Sequence, residues 1–298
     1  MRNTPGARTM ARRFVAGETI DDGILACREL NRAGMSITLD QLGESVSNRE
    51  EARQAADMYI ATIDRLVVEG IDGNVSLKLT QMGQDIDTGF LRENVGRVID
   101  RAREHDMFVR FDMEDSAHTE PTLSFFRSLW GEGYRNIGVV IQSYLRRSKG
   151  DIEQLNAEKV RVRLCKGAYK EPEAVAYPLK SDVDANYVRL MQLLLEHGNY
   201  PAIATHDEAM IQATRDFAKQ RAIDPSRFEF QMLYGIRRDL QQMLVRAGYK
   251  VRIYVPFGDA WYPYLMRRMA ERPANLFFIV NAVARETPLR HLMTSRKR

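Results

Sequence analysis

Near the end of the chain, Tyr264, Arg267, Arg268 and Glu271 fall at i, i+3, i+4 and i+7. In a helix that spacing puts a phenol, two guanidinium groups and a carboxylate on one face. Adjacent arginines offer planar, permanently charged forks that grip a carboxylate or phosphate in two-point fashion. The same four residues also read as a solvated face with an internal Arg-to-Glu pair. Their position favours the clamp, because they follow a short apolar run, Val251 to Val255, that breaks at Pro256 and Gly258.

Polar residues recur wherever such an apolar run ends. The ends read Lys78-Leu79-Thr80, Asp112-Met113-Glu114-Asp115, Gln142-Ser143-Tyr144, Arg163-Leu-Cys-Lys166-Gly167-Ala168-Tyr169, Thr205-His206-Asp207, Gln231-Met-Leu-Tyr234 and Tyr254. Lys78, Arg163, Lys166, Arg267 and Arg268 together suit a large anionic ligand. Each has a plainer reading. His206 before Asp207 can cap the next helix, and Lys78 with Asp112 can be a structural ion pair. In Lys166-Gly167-Ala168 the glycine allows close backbone approach while the lysine offers charge to a phosphate. Asp112, Glu114, Asp115 and His118 could ligate a metal, but no second His-rich strand end joins them, so no metal is expected.

The elements that must position these groups alternate. Residues 14 to 33 read as a lead-in helix with Ile24, Leu25 and Leu30 on one side. Strands follow at Met35 to Leu39, Val75 to Leu79, Phe108 to Phe111, Ile137 to Ile141, Arg161 to Leu164, Ala202 to Ala204, Phe228 to Met232 and Val251 to Val255. Helical spacing appears between them, as in Ala52, Ala56, Tyr59, Ile63 and Val67, where Ser47 and Glu50 suggest a capping box. Eight such units imply parallel strands and right-handed crossovers closing into an α/β barrel of the (β/α)8 TIM type. A Rossmann-type sheet fits poorly, since Gly131 and Gly133 precede a strand instead of following one. One domain is expected: an N-terminal helical extension over 1-33, the barrel over 34-282 and a basic tail over 283-298. In such a barrel, groups at the carboxyl ends of strands share one mouth.

The 298 residues suffice for one barrel with a large core. The net charge is only +4, with basic residues gathered at 2 to 13 and 290 to 298, which suggests weak attraction to an anionic surface and no nucleic-acid reader. Two cysteines and no ligand spacing with the five histidines point to a reducing compartment. No apolar run approaches the roughly 18 residues that span a bilayer, so a cytoplasmic protein is expected, with peripheral contact at the inner membrane's cytoplasmic face.

Five segments, Asp112-Met-Glu-Asp, Arg163-Leu-Cys-Lys-Gly-Ala-Tyr-Lys-Glu-Pro, Ala204-Thr-His-Asp, Arg252-Ile-Tyr-Val-Pro-Phe-Gly and Tyr264-Leu-Met-Arg-Arg-Met-Ala-Glu-Arg-Pro-Ala-Asn, resemble proline dehydrogenase in its single-function bacterial form. The resemblance runs from about the first strand to the helix beyond Pro273. It implies a distorted barrel, noncovalent FAD, oxidation of L-proline to 1-pyrroline-5-carboxylate and a membrane quinone as electron acceptor. Pyrroline-5-carboxylate dehydrogenase would take the product. On this resemblance Lys78, Arg267 and Arg268 hold the substrate carboxylate, Tyr254 and Tyr264 pack on its ring, and Asp112 orients Lys78. Arg163 sits at the flavin N5 locus, and Met113, Gln142, Lys166, Gly167, Ala168, Thr205 and His206 contact the cofactor. Glu44 and Arg268 form a gate, with Gly43 giving the loop its freedom. Two rival readings are a Schiff-base aldolase using Lys78 or Lys166 and a non-catalytic flavin or anion sensor.

Overall fold

Short strands rich in β-branched residues, separated by helices with one apolar face, can bury those faces only by laying the helices on the sheet. A computed structural model describes residues 13–43, 45–262, 264 and 266. Its strands are β1 (Ser36–Gln41), β2 (Gly73–Leu77), β3 (Val109–Phe111), β4 (Ile137–Gln142), β5 (Arg161–Cys165), β6 (Ala202–Ala204), β7 (Glu229–Leu233) and β8 (Lys250–Phe257). All pair in parallel, in sequence order, as a closed barrel. Closure runs from Ser36 opposite Arg252 to Gln41 opposite Phe257.

The helices are α1 (Ile20–Arg32), α2 (Arg49–Val68), α3 (Thr88–Arg103), α4 (Ser116–Gly131), α5 (Ser148–Ala157), α6 (Lys180–His197), α7 (Glu208–Gln220) and α8 (Arg238–Arg246). Side chains alternate across a strand. Ile37, Leu39, Val75, Leu77, Val109 and Phe111 belong to the main apolar core with the helices. Their neighbours Thr38, Asp40, Asn74, Ser76, Arg110 and Asp112 are also buried, with Thr38 bonded to Asn74 and Ser76 to Asp112. The core therefore lies between sheet and helices, while the barrel's inside is polar.

The lead-in helix is shorter than its pattern suggests. Thr19 caps it in a reciprocal box with Asp22. Its buried face carries Ile24, Ala26 and Cys27, whereas Leu25 is 58% exposed. Adjacent helical residues point about 100° apart, so Ile24 and Leu25 cannot share a narrow face. Helix α1 packs on β1 and β8. Gly23 makes this close: a Cβ there would meet Leu39 at 3.3 Å and Phe257 at 3.5 Å. In a regular barrel the outer face of the last strand is covered by the helix after it. Here α1 takes that place, and the described helical residues after β8 lie at the mouth, where Trp261 and Tyr264 pack with Phe14, Val15 and Leu42.

Helix α2 also differs in detail. Its N-cap is Asn48, whose side chain accepts from the Glu51 N–H at 2.9 Å, not Ser47 with Glu50. Ala52, Ala56, Tyr59 and Ile63 are buried, but Val67 is partly exposed and Leu66 takes the inward position.

Candidate active site

Four strands deliver the centre of the mouth. Asp112, just past β3, accepts from Ser76 Oγ and Arg163 Nη1, each at 2.6 Å, and from the Tyr254 hydroxyl at 2.8 Å. Arg163 on β5 also donates from Nε to Gln231 Oε1 at 2.5 Å, and its guanidinium lies 5.3 Å from the Tyr254 ring centroid. Burial pushes the Asp112 carboxyl up, but Arg163, Lys78 and the hydrogen bonds from Ser76 and Tyr254 outweigh it and hold the pKa below the usual carboxylate range. The Tyr254 hydroxyl moves the other way, since burial and the charges of Asp112 and Asp40 raise it well above an ordinary phenol. Tyr254 stays a donor.

Lys78 does not take Asp112 as its partner. The carboxylate in ion-pair range is Asp40, with Nζ 3.5 Å from Oδ1. Asp112 is already committed to Arg163 across the barrel. Burial disfavours the Lys78 ammonium, but Asp40, Asp112 and Glu114 together outweigh it and raise its pKa above the ordinary lysine value. Asp40 is 1% exposed; its Oδ1 also accepts from Tyr59 at 3.3 Å, and its Oδ2 has no hydrogen-bond partner. Burial raises its pKa to about 6, Lys78 opposing and Asp112 reinforcing. The sequence reading missed Asp40 because it ended β1 at Leu39. Strand alternation after Ser36 and Thr38 would have placed it on the inner face.

The other expected site residues surround this centre. Met113 and Gln142 are buried beside it. Gln142 Nε2 donates to the Glu114 carbonyl at 3.0 Å, while Gln142 Oε1 and Arg163 Nη2 are buried polar atoms with no partner. Glu114 is held by Thr80, whose Oγ1 donates to its Oε1 at 2.7 Å. Gly167 has φ +101°, and a Cβ there would run into the Tyr144 ring at 2.2 Å, so both backbone and packing demand glycine. Lys166 is paired with Asp184 and, at 2.7 Å, with Asp207. Ala168 is exposed. Thr205 Oγ1 accepts from Asp207 N–H at 3.1 Å.

His206 is not the cap of α7; Asp207 is, accepting from the Ala209 N–H. The imidazole Nε2 accepts from the Leu233 N–H at 2.8 Å, which places the proton of the neutral ring on Nδ1. Asp115 caps α4, and His118 contacts Asp115 and Asp85. Tyr264 is buried in the cluster with Trp261 and Phe14. Arg267, Arg268 and Glu44 lie outside the described residues. Gly43 has no left-handed backbone; it is held close to Gln81, where a Cβ would meet Nε2 at 2.5 Å.

A closed parallel barrel whose strand ends converge on a buried Asp-Arg-Tyr triad and a cationic lysine defines an α/β-barrel enzyme. A family model described as proline dehydrogenase matches residues 24–281. Proline dehydrogenase 2 of Bacillus subtilis (strain 168) is 41% identical over 281 residues, covering 94% of this chain and 92% of that protein. The proline dehydrogenase of Deinococcus radiodurans is 45% identical over 278 residues, covering 92% and 90%. The crystal structure of proline utilization A (PutA) from Bdellovibrio bacteriovorus inactivated by N-propargylglycine superposes with a TM-score of 0.82 at 28% identity. It is matched over 88% of this chain, which spans 32% of that longer protein. The chain belongs to the proline dehydrogenase family, an oxidoreductase family.

Proposed function

We propose that the chain oxidises L-proline to 1-pyrroline-5-carboxylate, with noncovalent FAD as hydride acceptor and a membrane quinone as the final electron acceptor. The observation that carries this reading is the pair of unpartnered buried atoms on adjacent strands, Arg163 Nη2 and Gln142 Oε1. One is a donor and the other an acceptor, the complement of a heteroaromatic ring that offers both. Bound FAD supplies two-electron chemistry at N5. Arg163 would supply the cation beside that ring, and Asp112 fixes its guanidinium through a bond made at 2.6 Å. Met113 and Gln142 bear on the same ring.

Lys78 serves as a permanent cation for the substrate carboxylate, joined by Arg267 and Arg268, while Tyr254 and Tyr264 pack on the substrate ring. Asp40, not Asp112, orients Lys78. Gly167, Ala168, Thr205 and His206 line the cofactor's remaining parts. Lys166 reaches a phosphate only by leaving Asp184 or Asp207. Glu44 with Arg268 closes over bound substrate. The product would pass to pyrroline-5-carboxylate dehydrogenase. Among the described residues no helix is long and apolar enough to cross a membrane; in this proposal the quinone is reached by contact at the membrane surface.

The aldolase reading loses support at Lys78. A Schiff-base lysine must be neutral to attack, whereas three carboxylates hold this ammonium protonated. Anaerobic titration of the purified protein with proline tests the proposal. Stoichiometric bleaching of a flavin spectrum is expected; colourless protein, or colour untouched by proline, overturns it.

A further inference from the structure

Three successive helix-to-strand connections meet at the amino-terminal end of the barrel, opposite the mouth. They line an open surface cavity of about 280 Å³ with Arg103, Asp106, Phe108, Arg135, Asn136 and Arg161. Aromatic rings fix all three arginines. Arg161 lies 4.8 Å from the Tyr200 centroid and 5.1 Å from that of Phe108, Arg135 lies 4.3 Å from Trp130, and Arg103 lies 5.0 Å from Tyr134. A guanidinium held on a ring face loses little freedom when it binds an anion.

The charge here is not balanced. Arg103 is answered by Asp100 at 2.8 Å, but among the described residues no carboxylate stands in ion-pair range of Arg135 or Arg161. Arg135 spends one nitrogen on the carbonyls of Trp130 and Tyr134, which leaves its other donors available. Asn136 contributes none, because its amide donates to Ile99 and Met107 carbonyls. Behind the cavity, Arg110 sits 4.6 Å from the same Phe108 ring, and its buried Nε has no partner. Arg110 and Arg252 share Glu229 as their nearby buried carboxylate, and Arg252 takes the direct contact at 2.9 Å. Burial, and then the like charges of Arg163, Arg161 and Arg252, push the Arg110 pKa well below the ordinary value, as a surplus of positive charge should. Against this surplus the lining itself sets one carboxylate, Asp106.

We propose that this cavity binds a phosphate-class anion, free or carried by an anionic lipid headgroup, with Arg135 and Arg161 as the groups that recognise it. Two forks from different connections converge on one anion, and a lysine pair would not reproduce their geometry.

The intact protein is titrated calorimetrically with inorganic phosphate, and in parallel sedimented with vesicles of phosphatidylglycerol in phosphatidylcholine against phosphatidylcholine alone. Binding in either arm that falls at least ~10-fold in the Arg135→Gln/Arg161→Gln double variant, with proline oxidation unchanged, supports the site. Phosphate binding without vesicle binding identifies a free ligand, and the reverse identifies a headgroup. Asp106→Asn provides a second check: removing the repelling charge should tighten binding in the same arm. Absence of binding in both arms, or binding that neither the double variant nor Asp106→Asn alters, overturns the proposal. The second of those results would point to the basic termini instead.

Discussion

Asp112 gathers a serine, an arginine and a tyrosine from three other strands, so its carboxylate sets the geometry of Arg163 and Tyr254 together. If Arg163 faces the flavin, Arg163→Met should lower the midpoint potential of the bound flavin, because it removes the cation that stabilises the reduced ring. An unchanged potential would remove Arg163 from that role. Asp40 makes a separate statement about pH. Its folded pKa of about 6 exceeds the unfolded carboxylate value of about 3.9, so between those values the folded state holds the extra proton. Stability from this group therefore falls as pH rises through that window, by on the order of 3 kcal/mol. The ligand-free Asp40→Asn protein should lose this slope. Urea unfolding at about pH 4 and about pH 7 checks it; parallel slopes in parent and variant would locate the pH dependence elsewhere. A carboxylate kept at such a cost in the mouth is expected to serve binding or turnover.

Among the elements, α2 separates two close alternatives. Asn48 accepts from the Glu51 N–H, so Asn48→Ala should lower stability by about 0.5–2 kcal/mol while Ser47→Ala changes little. Chemical denaturation of the two variants decides it, and the reverse ranking would restore the Ser47 box. The case shows what the sequence carries. Periodicity marked the strand-helix alternation and all eight strands to within about two residues, because buried sheet and helix faces impose distinct spacings. Cap position was not legible, since Ser47 and Asn48 are both competent and only the chain's entry angle chooses between them. The placement of α1 over β1 and β8 was likewise invisible: an apolar face states that it is buried, not against which seam. Strand ends made Asp112, Arg163 and Tyr254 readable as site residues. Their mutual bonds required the barrel, because residues 51 and 142 positions from Asp112 meet only after closure.

At the scale of the whole molecule, the barrel is filled by a polar column in place of stacked aliphatic layers. From floor to mouth it runs through the Arg252–Glu229 ion pair, Gln231 and Arg163 to Asp112 and Tyr254. Arg252 also donates to the Ile37 carbonyl at 2.7 Å, so the column fastens β8 to β1 where the barrel closes. Burial opposes ionisation of Glu229, but Arg252 outweighs it and holds the carboxyl below its usual range. The stability that Glu229 contributes is thus present above its unfolded pKa of about 4.3 and is lost as pH falls through the folded value. Removing only the carboxylate leaves Arg252 and Arg110 buried without their counter-charge. Glu229→Gln should therefore cost about 3–5 kcal/mol at neutral pH, the range for breaking a buried pair from one side. Glu229→Gln combined with Arg252→Met should cost less than the sum of the two single changes, because the second substitution removes the charge that the first strands. Denaturant unfolding of the four proteins at neutral pH measures the coupling. Strictly additive costs would mean that the pair does not act as one unit, and that main-chain pairing between β1 and β8 closes the barrel without help from its interior.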